Sequence, residues 1–281
     1  MSPDDYAKRI EEIVINYSSK FIDQVKSSET AILGKINGYV RKLELRTDGT
    51  IKTNTANIKV LRSMKADINN VVVSDAYRRK LESYIKGFDD LKDNSDKYFT
   101  QFTLFAPNKN LYKQILNDSI EITKNSLLNA GISANVTEPI ESILMQNISS
   151  GALIGDLEDE LRLYIKGDTK RLGSLERYVT QITRDALNQY SANYTSAISS
   201  DLGLDWYYYT GGTKTNTRSY CQTRAGKYFK KSEVQNVPES WSGRIPGTNS
   251  SNILIYRGGY NCMHQYIPVM EESVPKQYRN G

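Results

Sequence analysis

Apolar side chains recur at helical spacing through most of the first 200 residues, and this pattern stops at Asp205. Residues three or four positions apart lie on one face of a helix, so each such stripe predicts a helix that buries that face. The first stripe is formed by Tyr6, Ile10, Ile13, Val14, Tyr17, Phe21 and Val25. Further stripes lie at residues 58–71, 77–88, 111–127, 140–148 and 157–165, and a long helix is predicted at 174–203.

Polar and turn-forming stretches predict where these helices are interrupted. The stretch "RTDGTIKTNT" (46–55) contains turn formers, and "DDLKDNSDK" (89–97) has the composition of a polar break. We expect "NAGISAN" (129–135) to end the helix that precedes it, and Gly203 to close the long one. Limited proteolysis is expected to cut first within 46–55 or 89–97.

The pattern changes to short aromatic and apolar runs after Asp205. "DWYYYTGG", "GKYF" and "ILIYRGG" each have the composition of a short strand, and glycines and prolines punctuate the sequence between them. The expected fold is therefore a mostly α N-terminal region followed by a small α+β C-terminal module. We place the helical region, an arm and bundle, at residues 1–202 and the module at 203–281.

The excess of positive charge is confined to the predicted module. Residues 203–281 contain 10 Lys and Arg against 5 Asp and Glu, whereas residues 1–202 contain 27 of each class. A basic surface attracts polyanions, although it also serves simply to keep a small domain in solution. Candidate phosphate contacts are Lys214, Arg218, Arg224, Lys227, Lys230, Lys231, Arg244 and Arg257. Any binding of nucleic acid is expected to be non-specific and sensitive to salt.

Targeting and membrane signals are missing from the sequence as given. No apolar run reaches the ~20 residues that span a bilayer, and the first residues lack the pattern of a secretory signal. We therefore expect no membrane partner. The chain has 2 cysteines, too few for a disulfide framework, and a reducing compartment is expected.

An ordered set of residues in the last third of the chain resembles a known family. The set comprises an aromatic strand, Thr217-Arg218, Cys221, Gly226-Lys227 with Tyr228, the Cys262-x-His264 element and the ending Pro268-Val269. In this order they resemble the C-terminal region of phage head morphogenesis proteins, the minor head proteins related to the F protein of phage Mu. The likeness covers about residues 174–270. Two details depart from the family pattern, because Cys221 lacks a second cysteine nearby and Asn216 stands where an acid is frequent.

The resemblance implies a structural protein of the phage head. Such proteins associate with the portal protein or the major capsid protein, and they act in head assembly or in genome packaging and ejection. The location implied is the virion head, with the host cytoplasm as the place of assembly. Packaged DNA would then be a non-specific partner of the basic module. No enzymatic activity is expected under this interpretation.

The residues best suited to metal binding or nucleophilic chemistry are Cys221, Cys262 and His264, which is the only histidine. They could form a structural cluster or a zinc site, with a fourth ligand such as Glu233 or water. A disulfide between the two cysteines is an alternative once particles leave the cell. Another is a Cys–His nucleophile pair, because residues i and i+2 of a strand share a face. The alternative function is a virion-carried, metal-dependent nuclease or toxin-like hydrolase that uses these three residues.

The glycine pairs of the module have a conformational explanation. Gly211-Gly212 and Gly258-Gly259 each follow an aromatic or apolar run, where they allow tight turns or a close approach of backbone. A phosphate-binding role would need a helix to begin directly after them, and the sequence shows no such pattern.

Overall fold

The computed structural model describes residues 1–102, 104–107 and 109–279, apart from the side chains of residues 65, 66 and 69. The longer helices are α1 (Pro3–Val40), α2 (Thr55–Val72), α3 (Asp75–Phe99), α4 (Asn110–Leu128), α6 (Glu138–Ser150), α7 (Ile154–Lys166) and α8 (Ser174–Asp201). The short ones are α5 (Ala130–Ile132), α9 (Ser219–Gln222), α10 (Lys231–Gln235), α11 (Ile253–Tyr256) and α12 (Lys276–Arg279). The strands are β1 (Trp206–Thr210), β2 (Lys227–Lys230) and β3 (Gln265–Val269).

The predicted fold class is confirmed. The described residues before Trp206 are mainly helical, and the three strands that follow form one antiparallel sheet in the order β2-β1-β3. Strand β1 is central, with Tyr208 opposite Tyr228 of β2 and Ile267 of β3. Pro268 is tolerated because β3 lies at the edge of the sheet, where a missing N–H leaves no neighbouring strand unpaired.

The predicted polar break at residues 89–97 is wrong, because α3 continues through it to Phe99. Leu91 and Ser95 are fully buried, and the Ser95 hydroxyl donates to the carbonyl of Leu91. The Asn94 amide donates to the carbonyl of Tyr6, and Lys92 pairs with Asp96 one turn along the helix. The polar residues of this stretch therefore have partners that stabilise a helix.

The prediction that residues 129–135 end the preceding helix is confirmed, because Asn129, directly after α4, has a non-helical φ of −119° and ψ of −116°. Helix α4 ends at Leu128, α5 follows directly, and a π-helical turn over Ser133–Thr137 leads into α6. Helical structure therefore resumes after the break at Asn129, with one irregular π-turn before α6. The interruption at 46–55 is confirmed, since α2 begins only at Thr55.

The third strand lies at a different place from the one predicted. "ILIYRGG" forms the helical turn α11, in which the adjacent residues Ile253 and Leu254 are both buried. In a strand, adjacent side chains point to opposite faces. Asn249 and Asn252 hold the turn before α11, because Asn252 Oδ1 accepts the N–H of Asn249. The third strand is instead β3, whose five residues are all buried.

Contacts divide the chain into two compact units. Unit 1 comprises Met1–Tyr17, Ile85–Glu121 and Thr183–Gly281, and unit 2 comprises Ser18–Tyr84 and Ile122–Ile182. Residues 203–281 therefore share unit 1 with segments of α1, α3, α4 and α8. The boundary predicted between residues 202 and 203 stays a prediction, and it marks the point where the secondary structure changes.

Unit 1 has a tyrosine-rich core with satisfied hydroxyl groups. Tyr6 of α1 hydrogen-bonds to Ser95 and Thr195, and its ring stacks on Tyr98 at 4.4 Å. The Tyr98 hydroxyl donates to the carbonyl of Pro268, which attaches α3 to β3. Among the described residues, no helix combines the length and hydropathy needed to cross a bilayer.

Within unit 2, a buried carboxylate caps the N-terminus of α8. The carbonyl of Gly173 accepts the first helical hydrogen bond from Arg177, which makes this glycine the N-cap, although it has no side chain to serve as a cap. Glu29 of α1 takes that role, because its Oε1 accepts the N–H of Glu176 at 2.9 Å. A Cβ on Gly173 would lie 2.3 Å from this oxygen, so glycine leaves room for the carboxylate.

We predict different effects for two substitutions of Glu29. Glu29→Ala removes the cap and should lower the free energy of unfolding by about 0.5–2 kcal/mol, with the larger loss at low pH. Burial raises the pKa of Glu29 above its ordinary value of 4.5, so the folded protein favours the protonated form. The stabilising contribution of this group therefore falls as pH rises through and above 4.5. Glu29→Gln keeps an acceptor without the charge, and thermal melts from pH 4 to 7 should favour it increasingly over wild type. Parallel pH profiles of the two proteins would contradict the prediction.

Candidate metal centre

Cys221, Cys262 and His264 meet in the interior of unit 1. Their ligand atoms all lie within 4.8 Å of one another, and all three residues are buried. The two Sγ atoms are 3.8 Å apart, and Cys262 Sγ lies 4.0 Å from His264 Nδ1. Both cysteines are free thiols. The described residues thus contain a buried Cys-Cys-His group that can hold a metal ion.

Three parts of the module position these side chains. Cys221 lies on α9, Cys262 lies in the loop after α11, and His264 directly precedes β3. The prediction that Cys262 and His264 share a strand face is wrong, because both lie before the first residue of β3. The imidazole instead stacks on Tyr209 of β1, with ring centroids 5.5 Å apart, and the Tyr209 hydroxyl donates to Cys221 Sγ.

The backbone at Gly258 lies directly against both sulfur atoms. A Cβ at this position would be 2.4 Å from Cys221 Sγ and 2.8 Å from Cys262 Sγ, distances that atoms not bonded to each other do not adopt. The prediction of a close backbone approach at the second glycine pair is therefore confirmed for Gly258. Any side chain here would push the two cysteines away from their present positions.

The loop that carries Cys262 is held from several sides. The Arg218 guanidinium donates to the carbonyls of Gly258 and Tyr260, and Trp241 Nε1 also donates to Gly258. Asp185 of α8 accepts the N–H of Asn261, which has a positive φ of 55°. A positive φ is uncommon outside glycine, so these contacts fix a backbone conformation that is costly in isolation.

Arg257 is a charged residue in the interior of the module, with 1% of its surface exposed. Its guanidinium donates to the carbonyl of Asn188 at 2.6 Å and to Gln265 Oε1 and the carbonyl of Cys262 at 3.4 Å. These contacts connect α8, the Cys262 loop and β3. Arg257 was predicted to contact phosphate, and the structure corrects this, because an interior guanidinium that donates to protein carbonyls does not face a polyanion.

The two thiols influence each other's ionisation. The hydrogen bond from Cys221 lowers the pKa of Cys262, and His264 and the positive charge of Arg257 lower it further. The same contact, together with burial, raises the pKa of Cys221. The first proton therefore leaves the pair readily, and the second is retained unless a cation replaces it. Burial also raises the pKa of Asp185 to about 6.

The spacing of the sulfur atoms matches tetrahedral coordination. Two thiolates at the usual Zn–S distance of ~2.3 Å and at a tetrahedral angle lie about 3.8 Å apart. The Cys221–Cys262 separation is 3.8 Å. His264 Nε2 is buried and has no hydrogen-bond partner among the described residues, so this side chain is not committed to a second protein group. Two cysteines and a histidine are donors that zinc prefers.

Glu233, the carboxylate named as a fourth ligand, lies elsewhere. Its Oε2 accepts the N–H of Lys230 at 2.6 Å at the start of α10, and the side chain is exposed. The buried group contains no carboxylate. Water is therefore the remaining candidate from the sequence for a fourth position.

The other predicted phosphate contacts are scattered over the module. Lys214 and Lys227 are exposed, and Lys231 is half-buried. The cationic groups of Arg224, Lys230 and Arg244 lie over the rings of Tyr220, Trp206 and Trp241, respectively, at 4.0 to 5.3 Å from the centroids. The Arg218 guanidinium donates to carbonyls of the Cys262 loop and thereby stabilises the position of that loop.

The supporting residues of the centre carry little signal in the sequence. The pattern around Tyr209 predicts only a strand, and the pattern around Asp185 and Asn188 predicts only a long helix. Arg257 offered a weak signal, since it stands between an apolar run and a glycine pair. Asp185 offered none, because its partner lies 76 residues further along the chain.

Comparison of the chain with protein family models, with curated proteins and with solved structures finds no match.

Proposed function

We propose that this protein is a structural minor head protein of a tailed bacteriophage. It would associate with the portal or the inner capsid and act in head assembly or in genome packaging and ejection. The proposal rests on the ordered residues that resemble phage head morphogenesis proteins, and on what those residues contact. Arg218, Cys221, Cys262 and His264 all contribute to one buried centre, which is the behaviour of residues that maintain a fold.

The burial of His264 is the observation that favours a structural protein over a hydrolase. The side chain is 7% exposed, and the imidazole lies between the Cys262 thiol and the ring of Tyr209. A hydrolytic metal centre needs an open coordination position that substrate reaches, and a general base beside it. The buried group itself contains no carboxylate to serve as that base, and the neighbouring Asp185 accepts the N–H of Asn261.

The centre is proposed to be a structural zinc site. The three side chains come from short elements and loops of unit 1, and a metal that joins such segments contributes its binding free energy to folding. Zinc would join α9, the Cys262 loop and the start of β3, and it would replace the proton that the thiol pair retains. A disulfide formed outside the cell would join the same two cysteines and is an alternative outcome of the experiments below.

Localisation in particles tests the proposed function. Antibodies against the chain should label purified heads at a few copies each, and mass spectrometry of washed particles should detect the protein. Particles from which the protein is absent, although it accumulates in the infected cell, would contradict a head component. Cleavage of DNA or RNA by the purified protein with zinc would instead support the hydrolase.

His264→Ala is expected to impair folding or incorporation without removing an enzymatic activity. The substitution deletes one side chain of the buried centre, at a cost of about 1–3 kcal/mol. That cost is a sizeable share of the ~5–15 kcal/mol that stabilises a typical domain, so the melting temperature should fall and incorporation into particles should decrease. A variant that folds and incorporates normally, but loses a nuclease activity present in wild type, would contradict the proposal.

A further inference from the structure

Unit 1 has an apolar groove whose lining does not include Cys221, Cys262 or His264. It has a volume of about 370 Å³ and lies between the segment after α3, the link from α8 to β1, and the end of β3. Its apolar lining consists of Phe102, Leu104, Leu202, Leu204 and Met270. Leu104 is 80% exposed and Met270 is 40% exposed, so two large apolar side chains face solvent at the same place.

The rim of this groove is acidic, although the chain as a whole is basic. Glu271 and Glu272 follow Met270 directly and line the groove, and both are exposed. The residues described show no ion pair for either carboxylate. With a net charge of +5, the chain carries here two adjacent negative charges beside exposed leucine and methionine.

We propose that this groove binds an amphipathic helical segment of a partner protein that carries apolar residues on one face and lysine or arginine beside them. The apolar face would cover Leu104 and Met270, and the basic residues would pair with Glu271 and Glu272. Apolar anchors supply most of the affinity at such contacts, and charge complementarity sets orientation and partner choice. Cys221, Cys262 and His264 do not line the groove. Binding of a partner helix here therefore does not depend on zinc or on a place in the phage head.

Peptide binding to the full-length protein tests the proposal. The probe is a fluorescein-labelled 18-residue peptide of leucine and lysine, with the leucines at helical spacing, and the readout is fluorescence anisotropy. Saturable binding is expected, and it should weaken as salt rises from about 0.05 to 0.3 M because exposed charges are screened. A peptide with glutamate in place of lysine should bind at least about tenfold more weakly.

Exposed positions allow the groove to be altered without disturbing the core. Leu104→Ser should weaken binding at least fivefold, whereas Leu111→Ser, a control at a 49% exposed leucine outside the groove, should leave it within about twofold. Glu271→Gln with Glu272→Gln should weaken binding and flatten its salt dependence. Asp118→Asn with Glu121→Gln, at two exposed acids of α4 outside the groove, is the control for that loss of two charges.

Several outcomes would overturn the proposal. One is the absence of saturable binding, and another is equal affinity for the lysine and glutamate peptides. Equal binding by wild type and Leu104→Ser would place the peptide elsewhere on the protein. Sedimentation that shows a dimer, lost in Leu104→Ser, would assign the groove to a second copy of this chain.

Discussion

Gly258→Ala is expected to eliminate metal binding and to destabilise unit 1 by about 3 kcal/mol, at the upper end of the cost of overpacking a core. The added methyl group would lie 2.4 Å from Cys221 Sγ and 2.8 Å from Cys262 Sγ. Neither sulfur can move far, because both side chains are short and buried. Relief must therefore come from the backbone of the Cys262 loop, which Arg218 and Trp241 hold in place.

Gly212→Ala is the matched control for this substitution. It changes the second residue of the other glycine pair, and a Cβ at Gly212 would meet no atom within 4 Å. Zinc content and thermal melts of the two variants should therefore differ widely, with Gly212→Ala close to wild type. Equal zinc content and equal melting temperature in Gly258→Ala and wild type would show that the sulfur atoms are not held against this backbone.

Arg257→Met is expected to have a comparable effect on stability, again about 3 kcal/mol. The variant keeps a long side chain but leaves the Cys262 carbonyl and Gln265 Oε1 without their buried donor, at about 1–3 kcal/mol for each group left unpaired. It also removes the positive charge that lowers the pKa of Asp185. Arg9→Met, at an exposed arginine of α1, should change stability by less than ~0.5 kcal/mol.

The pH dependence identifies the mechanism of this loss. The pKa of Asp185 is raised to about 6 in the folded protein, so its stabilising contribution falls as pH rises from its ordinary value of 3.8 through 6. Without Arg257 the pKa rises further, and the melting temperature of Arg257→Met should drop more steeply than that of wild type between pH 5 and 7. A constant difference over this range would show that Asp185 does not sense the guanidinium.

The fold class was predictable because it depends on periodicity. Stripes of apolar residues placed the long helices, and the aromatic run at 206–210 placed the central strand. The errors arose where tertiary partners decide the structure. Residues 89–97 are polar, yet Asn94 and Ser95 find buried partners, so we no longer expect proteases to cut there first. "ILIYRGG" has strand-like composition, but the asparagine turn before it starts a helical turn.

The three residues of the candidate centre could be predicted from the sequence, but the residues that contact and position them could not. Cysteine and histidine are few, so Cys221, Cys262 and His264 stood out, and the structure brings them together. Charge alone gave no means of separating Arg257, which is interior, from Lys214, which is exposed. That distinction depends on the carbonyl of Asn188, a contact that spans 69 residues of sequence.

Metal analysis of the purified full-length protein tests the zinc centre most directly. Protein produced with zinc in the medium and dialysed should contain about one zinc per chain by mass spectrometry, and a chelator should lower its melting temperature. Cys262→Ser should contain less than about a tenth as much zinc, and its melting temperature should not respond to the chelator. Wild-type protein that contains no more zinc than Cys262→Ser, and that melts at the same temperature with and without chelator, would contradict the account.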